Sequence, residues 1–298
     1  MNEEEHRYLD LLKEAIWDSE DRNSRAGVTK SFFGRTLRFD LSKNTIPLLT
    51  TKRIFWKGVV EELLFFIRGE TQTKRLEEKG VNIWKGNTSR DFLDTMGFYK
   101  YNEGDMGPMY FYQIYHFNAS YDGCLTDYSE KGLNQFKDVI HLLKTDRYSR
   151  RIFMTTYNPL QAKDGVLYPC HGIVIQFAVD GENELCCHMY QRSADFFHGI
   201  CYNITSYSLL VILLVQYLND TSTDDFKFVP GRLCISLGDC HIYESHINSV
   251  KEQLSREPFS FPKLKINGPI FDLTEIKFSS IEVIDYICHP AINVDMVA

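Results

Sequence analysis

Cys170 stands between Pro169 and His171, where an irregular stretch gives way to a β-prone run that begins near Ile173. A thiol at a strand start can be a nucleophile when positive neighbours and backbone donors draw its pKa below about 8.5, because the thiolate is the reactive form. The bland alternative for any one cysteine is a small buried hydrophobe. Two other runs add weight to the chemical reading. Arg150-Arg151 and Gln191-Arg192-Ser193 bring three guanidiniums, an amide and a hydroxyl to predicted strand ends. These groups fork onto phosphate oxygens, although a surface salt bridge would satisfy any single arginine. Glu62 sits inside an apolar helical pattern, where an unpaired carboxylate would cost several kcal/mol, so a role is expected for it.

Cys and His are adjacent three times, at Cys170-His171, Cys240-His241 and Cys288-His289. Neighbours on a strand point to opposite faces, so these pairs do not read as metal ligands. No C-x-x-C pair and no spaced C/H quartet occurs, which argues against a redox motif or structural zinc. No metal is expected.

The elements that must hold these residues follow from periodicity. Tyr8, Leu11, Leu12, Ala15 and Ile16 predict an amphipathic helix. Val59, Val60, Leu63, Leu64, Phe66 and Ile67 predict a largely buried one ended by Gly69. Leu133, Phe136, Val139, Ile140 and Leu143 predict a third. Ile152–Tyr157, Ile173–Val179 and Leu185–Tyr190 read as strands, with a hairpin signal at Asp180-Gly181. From Asn203 a run of about 15 residues, apolar on most faces, reads as a central helix. Leu233–Leu237 reads as a strand, His241–Ser255 as a helix, and the tail from Lys263 as strands. Asn87–Ser129, rich in Tyr, Gly and Asp, is expected to be a long surface excursion. The expectation is one α+β domain over 1–298, with an N-terminal helix and lead-in at 1–24.

Apolar residues at 44% and charged residues at 24% exclude disorder. The net charge of −7 gives no overall field for nucleic acid, so an anionic ligand needs a local cationic cluster. Leu209–Val215 is too short an apolar run for a membrane span. Met1–His6 is acidic with no apolar stretch behind it, so no leader is expected. Eight cysteines then fit a reducing compartment, expected to be the cytoplasm, with the nucleus also open.

From Arg25 to Ala298 the sequence resembles the thymidylate synthases. The resemblance is carried by TTKRIFWKG, EELLFFIRGET, GDMGPMY, RRIFMTTYNP, LYPCHG, YQRSADFFHGICYNITSY and LGDCHIYESH, all in the family's order. SRDFLD and HFNASY are similar to the longer eukaryotic form, including that of eukaryotic viruses. The resemblance implies a large mixed sheet at the interface of a homodimer with shared active sites. It also implies a methyltransferase reaction: deoxyuridylate (dUMP) becomes thymidylate (dTMP), with 5,10-methylenetetrahydrofolate as cosubstrate giving one carbon and a hydride and leaving as dihydrofolate.

By the same resemblance Cys170 is the nucleophile toward C6 of the base. Glu62 works through ordered water on proton transfers, Tyr110 lies near the C5 proton, and His171 lines the pocket. Arg25, Arg192 and Ser193, beside Gln191, hold the phosphate, and Arg150 and Arg151 come from the other subunit. Asn203 reads the uracil edge, and His241 and Tyr243 meet the sugar. Asp195 bonds the pterin, with Phe55, Ile83, Trp84, Asn87, Gly199 and Tyr202 around the folate. Phe55, Ile83, Trp84 and Tyr202 could equally be core residues, and Gly199 a turn glycine. The tail at 290–298, with Met296 and Ala298, is the mobile segment that closes over ligands.

The chain departs from the family pattern at several places. The loop around Arg25 is one residue short, Phe111, Ile114 and Tyr115 replace a glycine, a tryptophan and an arginine, and Lys85 an aspartate. Tyr157 replaces a tryptophan, Cys201 a proline and His198 a leucine. These bear mainly on the folate side. The nearest rival is a deoxypyrimidylate hydroxymethylase, in which water rather than hydride captures the exocyclic methylene. A rival of another class is a catalytically weak nucleotide-binding homologue.

Overall fold

A computed structural model describes residues 2–24 and 27–294. Helix α1 (Glu3–Trp17) begins where the Asn2 side chain accepts from Glu5 N at 3.1 Å, with three glutamates in its first turn facing the helix's positive end. Its stripe of Tyr8, Leu9, Leu12, Ala15 and Ile16 is buried. Strands β1 (Glu20–Ser24) and β2 (Gly27–Asp40) follow, two elements that the periodicity of the sequence did not suggest. Helix α2 (Trp56–Ile67) is buried nearly all round and stops before Gly69, whose φ of +68° a side chain would resist.

The stretch expected to be a surface excursion is partly core. After the single turn α3 (Lys74–Glu77) it contains α4 (Arg90–Thr95) and α5 (Phe111–Tyr115). Met106, Met109, Tyr110, Phe111, Tyr112 and Ile114 are all buried. Many of its apolar residues are tyrosines whose hydroxyls find internal partners, as Tyr121 does with Asp105 at 2.6 Å, so polarity misled. Helix α6 (Gln135–Thr145) excludes Leu133, which is exposed and bridges to Phe117 instead.

Strand β3 is only Phe153–Met154, while β4 (Val174–Asp180), β5 (Glu184–Asp195) and β6 (Val229–Tyr243) are long. The turn at Gly181 pairs Asp180 with Glu184, as the hairpin signal suggested. The expected helix at His241–Ser255 starts later: His241 to Tyr243 end β6, a 3₁₀ turn follows, and α8 is Ile247–Leu254. Strands β7 (Lys263–Ile266) and β8 (Ile281–Ile284) form a small separate ladder.

The main sheet has the order β1-β2-β6-β5-β4-β3, parallel only between β5 and β6. One face is covered by α7 (Gly199–Thr221), which packs on β5, β6 and α2. At 23 residues α7 is long and apolar enough to cross a membrane, longer than the run Leu209–Val215 indicated, but 72% of that window is buried inside the fold. The opposite face across β6, β5, β4 and β3 carries Phe153, Val174, Ala178, Tyr190 and Cys234, exposed or half-buried. The result is a single α+β domain with a large mixed sheet.

A buried carboxylate ties the N-terminus to the site. Glu5 accepts from the backbone N–H and the hydroxyl of both Thr50 and Thr51, at 2.7 to 2.9 Å. The next residue, Lys52, is buried; its ammonium donates to the Phe197 carbonyl and lies 3.6 Å from the Phe197 ring centroid. Replacing Glu5 with Ala strands four donors, and a loss of about 2–4 kcal/mol is expected in urea melts. A loss under about 0.5 kcal/mol would mean that these donors find other partners.

Candidate active site

Two neighbouring strands build the floor of the site by the same device. Along β6, Leu233, Ile235 and Leu237 are buried under α7, and beyond Gly238 the polar Asp239, His241 and Tyr243 alternate with buried Cys240 and Ile242. Along β5, Cys187, Met189 and Gln191 are buried, and beyond Arg192 the polar Ser193 and Asp195 flank buried Ala194. The parallel register sets Ser193 beside Asp239 and Asp195 beside His241. Past the start of α7, Ser193, Asp195, Asp239, His241 and Tyr243 line a cavity of about 870 Å³, together with Cys170, Arg192, Asn87, Gly199 and the arm Arg22–Ser24.

Cys170 is pinned to β5 because its carbonyl accepts from Arg192 N at 2.8 Å. The Tyr110 hydroxyl lies 3.2 Å from its Sγ. Tyr110 takes a φ of +45° at the head of α5, a left-handed conformation costly for an aromatic residue and typical of functional positions. Burial pushes the Cys170 thiol up, while Tyr110, the Arg192 charge and nearby backbone N–H groups pull it down. His171 stacks on Tyr110 at 4.3 Å and meets the Tyr207 hydroxyl through Nδ1 at 3.0 Å. Burial drives its pKa down to about 3, so it is neutral. The positive charge near the thiol therefore comes from Arg192 and not from His171, and burial outweighs it in the ligand-free site.

Glu62 accepts from Trp84 Nε1 at 2.7 Å, and apolar surroundings push its pKa up to about 7 although that bond opposes the shift. Asn203 Nδ2 donates to Gln191 Oε1 at 3.1 Å, and Gln191 Nε2 donates to the Ser193 carbonyl at 3.1 Å. Gln191 must then present its oxygen to Asn203, which sets the orientation of that amide. One oxygen of Asp195 accepts from Phe197 N at 3.1 Å and His198 N at 2.9 Å, which shapes the loop into α7 and leaves the other oxygen for a ligand.

The structure gathers Cys170, Arg192, Ser193, Asp195, Asn87, Gly199, His241 and Tyr243 around one cavity. Tyr110 reaches it through the thiol, and His171 through its stack on Tyr110. Phe55 and Tyr202 line a second cavity of about 320 Å³ with Lys52, Arg53 and residues 291–294, and His198 is in the wall of both. Trp84 is buried and Ile83 half-buried, packed on the core and lining neither cavity. Arg150 and Arg151 are exposed, without an ion pair among the described residues, and are not in this protomer's cavity. Arg25, Met296 and Ala298 lie outside the described residues.

Arg22, Tyr168 and Asp239 also line the cavity and Tyr207 meets His171, although residue type does not single them out in the sequence. Tyr207 stands one helical turn after Asn203, and Asp239 two residues before His241 on one strand face, so period alone could have found both. Among the described residues no three His, Cys, Asp or Glu side chains converge as metal ligands would. Cys240 is buried on one face of β6 while His241 lines the cavity on the other.

A nucleophilic thiol and a cationic patch in one cavity, with a tunable carboxyl and an oriented amide on the elements packed beside it, define an enzyme acting on a polar anionic substrate. Residues 6–298 match the family described as Thymidylate synthase. The chain is 43% identical to the thymidylate synthase of Saccharomyces cerevisiae, covering 99% of this chain and 97% of that protein. It is 42% identical to thymidylate synthase 1/2 of Encephalitozoon cuniculi, with 99% and 97% covered. It is also 44% identical to the bifunctional dihydrofolate reductase-thymidylate synthase of Paramecium tetraurelia, where it spans 98% of its own length and 61% of the other. The chain belongs to the thymidylate synthase family.

Folding raises the Glu62 pKa from 4.5 to about 7, so between these values the folded chain holds a proton that the unfolded chain has lost. Its stability therefore falls as pH rises through that window, and the whole cost is present above pH 7. Glu62→Gln keeps an acceptor for Trp84 and removes the cost. The variant should be more stable than the parent at pH 8 by about 1–3 kcal/mol and equal to it near pH 4, while turnover drops by about 10²–10⁴-fold. Thermal melts at both pH values check the first half; equal melting at pH 8 would mean that Glu62 titrates normally.

Proposed function

We propose that this chain is a thymidylate synthase that converts dUMP to dTMP. The observation that carries the reading is the grouping of Cys170, Tyr110 and Arg192 at the cavity, together with Asn203 held in a fixed orientation by Gln191 on the strand that also carries Arg192. The Cys170 sulfur adds to C6 of the base, which makes an inert C5 nucleophilic. Arg192 and Ser193 meet the phosphate, and its approach brings the base over the thiol. Glu62 and Tyr110 hold and move protons at the base. Asp195, with one oxygen uncommitted, and Asn87 suit the ring N–H groups of a pterin. Methylenetetrahydrofolate, when bound, supplies the one-carbon unit and the hydride.

A homodimer through the open sheet face fits the same picture. Phe153, Val174, Ala178, Tyr190 and Cys234 leave apolar side chains uncovered there, interspersed with Gln176, His188 and Ser236, and such a mixed face suits contact with a second copy. Arg150 and Arg151 immediately precede β3 at the edge of this face, where they can reach a partner's cavity.

An assay with dUMP and methylenetetrahydrofolate, following dihydrofolate absorbance and the pyrimidine product together, tests the reaction. Release of dihydrofolate with dTMP is expected; a hydroxymethyl product without dihydrofolate would overturn it. Cys170→Ser should bind dUMP yet lose at least about 10³-fold in turnover, since a hydroxyl is hardly ionised. Mixed with Arg151→Ala and allowed to exchange subunits, it should regain activity toward about a quarter of the parent's, because each heterodimer has one intact site of two. No recovery in proven heterodimers would put Arg151 to work within its own chain.

The Asn203 amide, held by Gln191, has one N–H left for an acceptor and an oxygen for a donor, the pair that uracil O4 and N3–H complete. A locked site facing the wrong donor can reject an analogue by up to about 10⁴-fold. Asn203→Asp, protonated in the pocket, should lose dUMP activity and gain turnover of deoxycytidylate. An unchanged kcat/KM ratio for the two nucleotides would show that Asn203 does not read the base.

A further inference from the structure

A carboxylate in a cavity that takes a phosphate repels its ligand unless its charge is engaged. Asp239 lines the cavity, and both its oxygens are engaged: Oδ1 with His241 Nδ1 at 2.8 Å and Oδ2 with Arg22 at 3.2 Å. We propose that Asp239 is a positioning residue that fixes the tautomer of His241 and thereby makes the site select nucleotides whose sugar offers a hydroxyl donor. The second half rests on the nucleotide reading above.

An ionised carboxylate only accepts, so the proton of the 2.8 Å bond must sit on Nδ1. The contacts with His241 and Arg22 also hold the Asp239 carboxyl below its usual range, which keeps it an acceptor. In the neutral ring the lone pair is then on Nε2, which has no partner among the described residues while the ring lines the cavity. Such a nitrogen takes a hydrogen bond from a hydroxyl and gains nothing from an acceptor-only group. A 5′-deoxynucleotide has one sugar hydroxyl, at C3′. Arg22 lies on β1 three residues before Arg25, so Asp239 also ties the arm beside the cavity to the sugar reader.

Asp239→Asn shows why the charge matters. With its oxygen on His241 the amide would turn its NH₂ toward the Arg22 guanidinium, donor against donor. With its oxygen on Arg22 it turns the NH₂ to Nδ1, and both bonds survive only if the imidazole proton moves to Nε2. The substitution should therefore reverse the ring, so that Nε2 now donates.

Two measurements on the full-length protein test this. Histidine-ring ¹⁵N NMR should show the parent's His241 protonated on Nδ1 and the proton moved to Nε2 in Asp239→Asn. Calorimetry should show the parent binding dUMP about tenfold more tightly than its 3′-O-methyl analogue, whose ether oxygen accepts but cannot donate, and this ratio falling toward one in Asp239→Asn. Arg22→Ala, which leaves the Nδ1 bond in place, should keep both the tautomer and the ratio. A merely structural role would weaken both nucleotides alike and leave the ratio near ten. That result, or a parent ring protonated only on Nε2, overturns the proposal, and the second needs no variant to fold. A parent that binds no dUMP would sink the nucleotide reading and the selectivity with it. The NMR result judges Asp239's hold on the ring separately.

Discussion

The parallel pairing of β5 with β6 is the constraint on which the site depends. Side chains on a strand alternate, so the residues that share a face are fixed once the register is fixed. Here buried positions alternate up to Leu237 and Gln191, and the buried parity reverses at Gly238 and Arg192. Beyond it the polar Asp239, His241, Tyr243, Ser193 and Asp195 alternate with buried Cys240, Ile242 and Ala194, in both strands at once. A slip of one residue would send Asp195, His241 and Tyr243 to the other face and bring Cys240 and Ala194 into the cavity. The buried half of each strand thus enforces the geometry of the chemical half.

Dryness sets the electrostatics that this geometry acts through. Burial leaves His171 neutral, raises the Cys170 thiol and brings Glu62 to about 7, where a proton can be taken or given at little cost. Arg192 is the charge that opposes burial at the thiol, and its backbone holds Cys170 in place. One residue thus serves both position and charge, and replacing it disturbs both.

Periodicity made α1, α2, α7 and the β4-β5 hairpin legible in the sequence, because each has a stripe or alternation of apolar residues over a solid core. It did not reveal β1 and β2. Glu20–Ser24 is wholly exposed, and β2 mixes Arg, Lys and Thr among its buried positions, so neither shows a clean period of two. Tyr110 to Ile114 read as surface because aromatic hydroxyls and Gly-rich flanks resemble a loop, yet the segment is buried. Of the site, Cys170, Arg192 and Glu62 stood out by residue type in an unexpected place. Asp239 and Tyr207 did not, since their importance lies in what they touch and not in what they are.

Helix α7 joins the end of β5 to the start of β6, and the three form one crossover segment from Glu184 to Tyr243. A free helix as apolar as α7 would be drawn to membranes or to other unfolded chains. Here α2 has already emerged and the rest of the main cover is made by the residues just before and just after the helix, so emergence of the chain through Tyr243 supplies both the hazard and its remedy. Short-range pairing of this kind limits the time that the helix is bare during synthesis. The same segment also carries Gln191 through Asn203 and Asp239 through Tyr243. Much of the working surface can thus be laid down before the last fifty or so residues of the chain have left the ribosome.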